Sequence, residues 1–177
     1  MKGSYCVKLG ALYADLANAG SSFRGHAATS IELVTELPIS PEAAFDLSLD
    51  VDVHTNSMAA SREAAVAGVT RGRMALYDEV TWRAWHFGVP WRMSSRITVL
   101  QRPSRFVDEQ VRGPFAGFRH EHVFEPMLTG TRMIDRIEFA APLGWLGRVA
   151  ERLVLAGYLR RLIERRNAYL VATATEP

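Results

Sequence analysis

The chain is short of the residue types that identify a protein quickly. It has one cysteine, Cys6, so it can form neither an internal disulfide nor a cysteine-based metal centre. Lysine is confined to Lys2 and Lys8, and 21 basic residues stand against 19 acidic ones for a formal charge of +2. That lacks the basic excess of a nucleic-acid-binding protein, and no nucleic-acid partner is expected. Long hydrophobic runs are missing as well. The longest charge-free apolar stretch, Phe139–Gly147, is nine residues, about half of what a spanning helix needs, so no stable membrane insertion is expected. The N-terminus imitates an export signal, with Lys2, an apolar patch and Ala17-Asn18-Ala19. Lys8 and Asp15 interrupt it, leaving only Leu9–Ala14 as an apolar core, under the roughly 7–15 residues such a signal requires. The expected compartment is the cytoplasm.

What is present suits one soluble domain: 177 residues, 48% hydrophobic and 23% charged, enough to bury a sizeable core. Residues 1–25 read as a loosely structured extension with one short helix over Leu9–Ala19, and residues 26–173 as the domain. Ile31, Leu33, Thr35 and Leu37 alternate with Glu32, Val34 and Glu36, the period of a half-buried strand. Ser40-Pro41-Glu42 then gives a cap, a proline at the first helical position and an acid in the first turn. A second short helix is expected over Asp50–Met58, and residues 59–76 are read as a strand and turn because of Gly68 and Gly72. Strands follow at Glu79–Phe87, Trp91–Leu100, Arg105–Val111, Gly117–Glu125 and Thr131–Ala140. They are separated by Gly88-Val89-Pro90, Pro103-Ser104, Gly113-Pro114 and Thr129-Gly130. Such short connections imply an antiparallel meander.

From Pro142 to about Val171 the apolar residues recur at three- and four-residue spacing, among them Leu155, Leu159, Leu162, Ile163 and Leu170. The other side carries six arginines (148, 152, 160, 161, 165 and 166) and two glutamates (151 and 164), read as a solvated face. Gly157, mid-helix, is expected to let the helix approach the sheet or to leave space beneath it. The sum is an α+β grip: a curved antiparallel sheet of seven strands around a long C-terminal helix, with two short helices after the first strand.

Three segments carry a family resemblance: Phe106-Val107-Asp108-Glu109-Gln110-Val111-Arg112-Gly113-Pro114-Phe115, His120-Glu121-His122-Val123-Phe124 and Thr131-Arg132-Met133-Ile134-Asp135. With His86-Phe87-Gly88 and Pro142-Leu143-Gly144 followed by Leu146-Gly147, they resemble a signature of one bacterial branch of the SRPBCC proteins. These form the START-like, helix-grip superfamily, which also holds the birch-pollen allergen and the polyketide cyclase/aromatase families. The similarity spans about residues 28–171. It implies a fold with a ligand cavity between sheet and helix, not a particular reaction.

Strand alternation selects the side chains facing that cavity. In 117–125, Phe118, His120, His122 and Phe124 point inward, because the other set carries Arg119, Glu121 and Glu125. The same test turns Trp82, His86, Met93, Phe106, Asp108, Gln110, Met133 and Asp135 inward, completing twelve expected ligand-binding residues. Pairing Phe106 with Phe124, and Phe124 with Met133, would place Asp108 and Asp135 on either side of His122, and Gln110 opposite His120. A two-residue slip would undo these pairs yet leave the residues on one face. Three readings compete for this polar group. It can be a satisfied structural network, a recognition site presenting donors to an otherwise apolar ligand, or a general acid/base in which Asp108 or Asp135 orients His122, suited to a cyclase or dehydratase. No catalytic residue is assigned beyond these three candidates. His120 and His122 with Asp108 or Asp135 have the donor types of a mixed metal site, but both aspartates can simply pair with the histidines, so no metal or cofactor is expected.

His54 could also line the cavity. Trp85 and Trp91 are read as pointing outward or lying at a turn, where they could mark a homodimer surface. The expected function is binding of a hydrophobic or amphipathic small molecule, reached from Pro142–Gly147 and the turns around Gly88 and Gly113. The alternatives are a cyclase/dehydratase-type enzyme and an interaction module with a closed cavity and an Arg-rich docking helix.

Overall fold

A computed structural model describes residues 28–142 and 154–175, with Phe23 and Val149 besides. The expected helix at 9–19 and the start of the C-terminal segment at 143–148 lie outside the described residues, as does most of the N-terminal extension.

Strand β1 (Thr29–Leu37) opens the domain. Helix α1 (Pro41–Ser48) starts where Ser40 accepts the Ala43 backbone N–H at 3.3 Å, and α2 (Val51–Ser57) where Asp50 accepts from Asp52 and Val53 at 2.8 and 3.1 Å. Beyond a 3₁₀ turn at Ala59–Ser61, the strands are β2 (Ala64–Gly68), β3 (Glu79–His86), β4 (Val89–Gln101), β5 (Arg105–Arg112), β6 (Gly117–Met127) and β7 (Gly130–Ala140). Helix α3 (Ala156–Thr175) ends the described chain.

All seven strands form one antiparallel sheet in the order β1-β7-β6-β5-β4-β3-β2. The connection from β1 to β2 therefore crosses from one edge to the other, carrying α1 and α2 with it. Helix α3 packs most closely along β1 and against α2. The concave face of the central strands is thus left to be filled by side chains or to stay hollow.

Both occur. At the α1 end the grip is solid: Phe45 meets Phe106 and Phe124 edge-on at 5.4 and 5.5 Å, among Leu37, Val51, Ile97, Met133 and Leu170. A second cluster joins Ile31, Met58, Phe118, Ile137, Phe139 and Ile163 beneath α3.

Three details differ from the sequence reading. The β3–β4 turn is made by Phe87 and Gly88, both left-handed at φ 53° and 76°, with Val89 and Pro90 already in β4. Two left-handed residues match the twist of paired strands. Between β5 and β6, Phe106 pairs with His122 and Asp108 with His120, one two-residue step from the expected register, whereas Phe124–Met133 and His122–Asp135 pair between β6 and β7 as expected. The step arises at the 113–116 connection, where the Gln110 amide clamps Phe115, donating to its O at 2.9 Å and accepting from its N at 3.3 Å. Gly157 is exposed, and a Cβ there would meet only the Arg161 guanidinium at 3.8 Å, so it opens nothing beneath the helix.

The convex face keeps its charge, but not all of it is solvated. Glu121 is buried beneath Arg105 at 3.0 Å, Arg119 at 3.3 Å and Arg136 at 3.6 Å.

Candidate functional site

The centre of the polar group is Asp135, on β7 and fully buried. One of its oxygens accepts from His120 Nε2 at 2.9 Å and lies 3.5 Å from Arg166; the other accepts from Asn167 Nδ2 at 2.7 Å. His122 Nδ1 lies 2.7 Å from the first oxygen but out of line for a hydrogen bond, a buried polar atom with no aligned partner. Its ring is held between two others, stacked on Phe106 at 4.2 Å and tilted against His120 at 3.8 Å between centroids. His122 Nε2 is 3.4 Å from Asp108 of β5, which faces the hollow with a fifth of its side chain exposed.

Electrostatics follow from the packing. Burial, and after it the neighbouring His122, push the His120 pKa down to about 4, against the pull of Asp135 and Asp108. Burial would raise Asp135, but the His120 hydrogen bond, the adjacent His122 and the Arg166 charge outweigh it and hold the carboxyl well below its usual range. Asp108 also ends below its ordinary value, burial being overcome chiefly by the contact with His122. A neutral His120 beside an ionised Asp135 is the arrangement these shifts describe.

Arg166 and Asn167 complete the network from α3. Arg166 is only 3% exposed, donating to Asn167 Oδ1 at 3.1 Å and to the Ser48 carbonyl at 3.4 Å. The sequence reading placed Arg166 on the solvated face. Its spacing from Ile163 and Leu170, three and four residues, puts it on the buried face instead, and Asp135 supplies the charge that makes this tolerable. Arg160, Arg161, Glu164 and Arg165 are exposed as expected.

A cavity of about 160 Å³ opens beside this network. Of the residues expected to face it, Trp82, His86, Met93, Phe106, Asp108, Phe118, His120 and His122 line it. Four do not. Phe124 and Met133 belong to the solid core, Gln110 is occupied with Phe115, and Asp135 stands behind the histidines. Alternation gives the face of a strand residue but not its position along the strand, where core passes into hollow.

The lining also holds residues that alternation could not supply: Phe115 from the 113–116 connection, Glu63 before β2, and Leu159, Leu162 and Tyr158 from α3. Tyr158 is linked to His86, its hydroxyl 2.6 Å from Nδ1, and Phe87 lies against the same ring at 4.6 Å. Trp91, expected to point outward or lie at a turn, follows the β3–β4 turn, lines the cavity and donates from Nε1 to the His86 carbonyl at 3.1 Å, whereas Trp85 is half exposed. Deeper in, His54 rests on Trp82 at 4.3 Å and reaches Glu63 at 3.0 Å. Phe87 is 54% exposed yet lines the cavity, so the hollow reaches the surface at the β3–β4 turn.

No protein-family model matches the sequence, and no curated protein matches it. Solved structures do. The Zhui aromatase/cyclase of Streptomyces sp. R1128 is similar at a TM-score of 0.68 and 13% identity, over 84% of this chain and 94% of that one. A START superfamily protein from Mycobacterium smegmatis gives 0.65 and 12%, over 84% and 100%. The ginseng major latex-like protein 151 of Panax ginseng gives 0.65 and 10%, over 85% and 100%. At these identities fold is shared while function is free to differ. Sheet order, terminal helix and these likenesses together make the fold that of the START-like, helix-grip superfamily, the one the sequence motifs resemble.

Proposed function

We propose that the protein binds one amphipathic small molecule, with its apolar, ring-bearing body in the hollow and a polar end on Asp108, His120 and His122. One observation carries this reading: an apolar cavity that opens at the β3–β4 turn has Asp108, His120 and His122 gathered at one part of its wall, with Asp135 and Arg166 packed against the two histidines. Trp82, Phe106, Phe118 and Phe115 offer ring faces to an aromatic body. The similar folds of an aromatase/cyclase and a START protein support a ligand of this kind.

The test is titration with N-phenyl-1-naphthylamine, a neutral aromatic probe, together with native mass spectrometry of protein purified from its own host. Saturable binding at one site, displaced by whatever small molecule co-purifies, is the expected result. A probe that stays in water, with no adduct on the protein, overturns the reading.

The enzyme reading keeps one observation in its favour. His122 has Asp135 behind it and Asp108 before it at the cavity wall, as a general acid/base oriented by a carboxylate would. Under that reading Asp135→Asn abolishes turnover while the probe still binds. Under plain binding the same change weakens the probe and leaves no reaction to lose. The hollow itself counts against an interaction module with a closed cavity.

A further inference from the structure

The cavity wall has a feature that ligand recognition does not require. Asp108, His120 and His122 offer three donor atoms that all lie within 4.8 Å of one another, and His122 Nε2 and Asp108 Oδ2 are already 3.4 Å apart. Three ligands at bond lengths of about 2.0–2.1 Å in a tetrahedral shell stand about 3.3 Å apart. One pair is thus at the required separation, and the third donor, within 4.8 Å of both, needs to close by about 1.5 Å at most.

The ring nitrogens are already sorted. His120 Nε2 is committed to Asp135, which leaves Nδ1 as its free donor. His122 turns Nδ1 toward the same carboxylate, which leaves Nε2 on the Asp108 side. A single buried carboxylate thus stands behind both imidazoles, the outer-shell partner that fixes ring orientation in metal-ligating histidines. His122 Nδ1 has no aligned hydrogen-bond partner, so a small turn of this ring breaks no hydrogen bond of that atom.

Charge points the same way. Arg166 lies against Asp135, so these two cancel, and Asp108 is left as a carboxylate at the cavity wall with one 3.4 Å contact to a histidine. The wall therefore has a negative charge left for a cation. Magnesium and calcium prefer oxygen-only shells, whereas two imidazoles and one carboxylate suit zinc and its first-row neighbours.

We propose that Asp108, His120 and His122 bind one first-row divalent transition ion, of which Zn²⁺ is representative, with its remaining coordination position directed into the cavity. This goes beyond the ligand-binding reading and does not depend on it, because the ion is measured with the cavity empty.

The test uses the untagged full chain, stripped with chelator and titrated with Co²⁺ near neutral pH. Visible d–d absorption reports coordination, and far-UV circular dichroism monitors the fold. One equivalent should give saturable tetrahedral or five-coordinate bands that Zn²⁺ displaces. Asp108→Asn and His122→Gln should each weaken Co²⁺ at least tenfold, whereas His54→Gln, elsewhere on the wall, should leave it unchanged. Absence of saturable bands overturns the proposal, as does their survival in both folded variants. Should either variant unfold, X-ray absorption of the wild-type Zn²⁺ protein decides: two imidazole nitrogens and a carboxylate oxygen in the first shell support the site, and fewer than two imidazoles overturn it. Retained N-phenyl-1-naphthylamine binding without metal binding would sink this inference while leaving the ligand reading standing.

Discussion

Asp135 is the residue on which the site turns, because it answers two histidines, an asparagine and an arginine without touching solvent. Asp135→Asn keeps the shape but removes the charge, leaving Arg166 buried without a counter-ion. Stripping one partner from a buried ion pair costs about 3–5 kcal/mol, and a loss of unfolding free energy of that size is expected in urea titration. Arg166→Met made in the Asp135→Asn background should recover part of the loss, with a coupling of about 1 kcal/mol or more in a double-mutant cycle. Strict additivity would mean that the two groups do not support each other. This residue-level pairing was half legible in the sequence. Alternation turns Asp108, His120, His122 and Asp135 to one side, but it says nothing of a partner arriving from a helix thirty-one positions on. Arg166 reads as solvent-facing only while its charge is weighed without its period. Counted from Ile163 and Leu170, it lies on the inward stripe.

Elements meet at two places where a single atom decides the geometry. The start of β7 crosses the end of β1 so closely that a Cβ on Gly130, at φ 142°, would lie 2.1 Å from the Leu37 carbonyl oxygen. Gly130→Ala should therefore destabilise the fold by about 2 kcal/mol or more, read from the urea midpoint, because backbone strain and a backbone clash both fall on it. The other meeting is between β3 and α3, where His86 and Tyr158 join across the surface opening. Burial holds folded His86 below its ordinary 6.5, the charge of Glu63 acting in the opposite sense. The unfolded chain then takes up this proton first. The contribution of His86 is whole above pH 6.5 and declines as the pH falls from there toward the folded value. Stability measured from pH 8 to 5 should fall less steeply in His86→Gln than in the wild type; superimposable slopes would show that the imidazole stays solvated. Alternation and helical spacing showed β3 and a C-terminal helix but could not join them, since their contact depends on how far the sheet curls.

At the scale of the whole molecule the question is why a protein with this much apolar side chain leaves space inside. The strands and their antiparallel meander were legible from alternation and short connections, whereas the split of the inner face into packed and hollow parts was not. Phe124 and Phe118 have the same chemistry and the same facing on one strand. Only Phe124 has Phe45 of α1 to close on it, and Phe118 faces the gap beneath α3. A gap of this kind forgoes dispersion contacts that a filled core would make, so it persists either through want of selection or because something occupies it. Ala84 gives a way to ask, since it lines the cavity from the middle of β3 with only 4% of its surface exposed. Ala84→Phe projects a ring into the void, where the added apolar surface is buried without displacing a packed neighbour. The melting temperature should hold or rise, and N-phenyl-1-naphthylamine should bind at least tenfold more weakly. A large loss of stability would instead show that the space closes in solution, and unchanged probe affinity would place the bound molecule somewhere other than between sheet and helix.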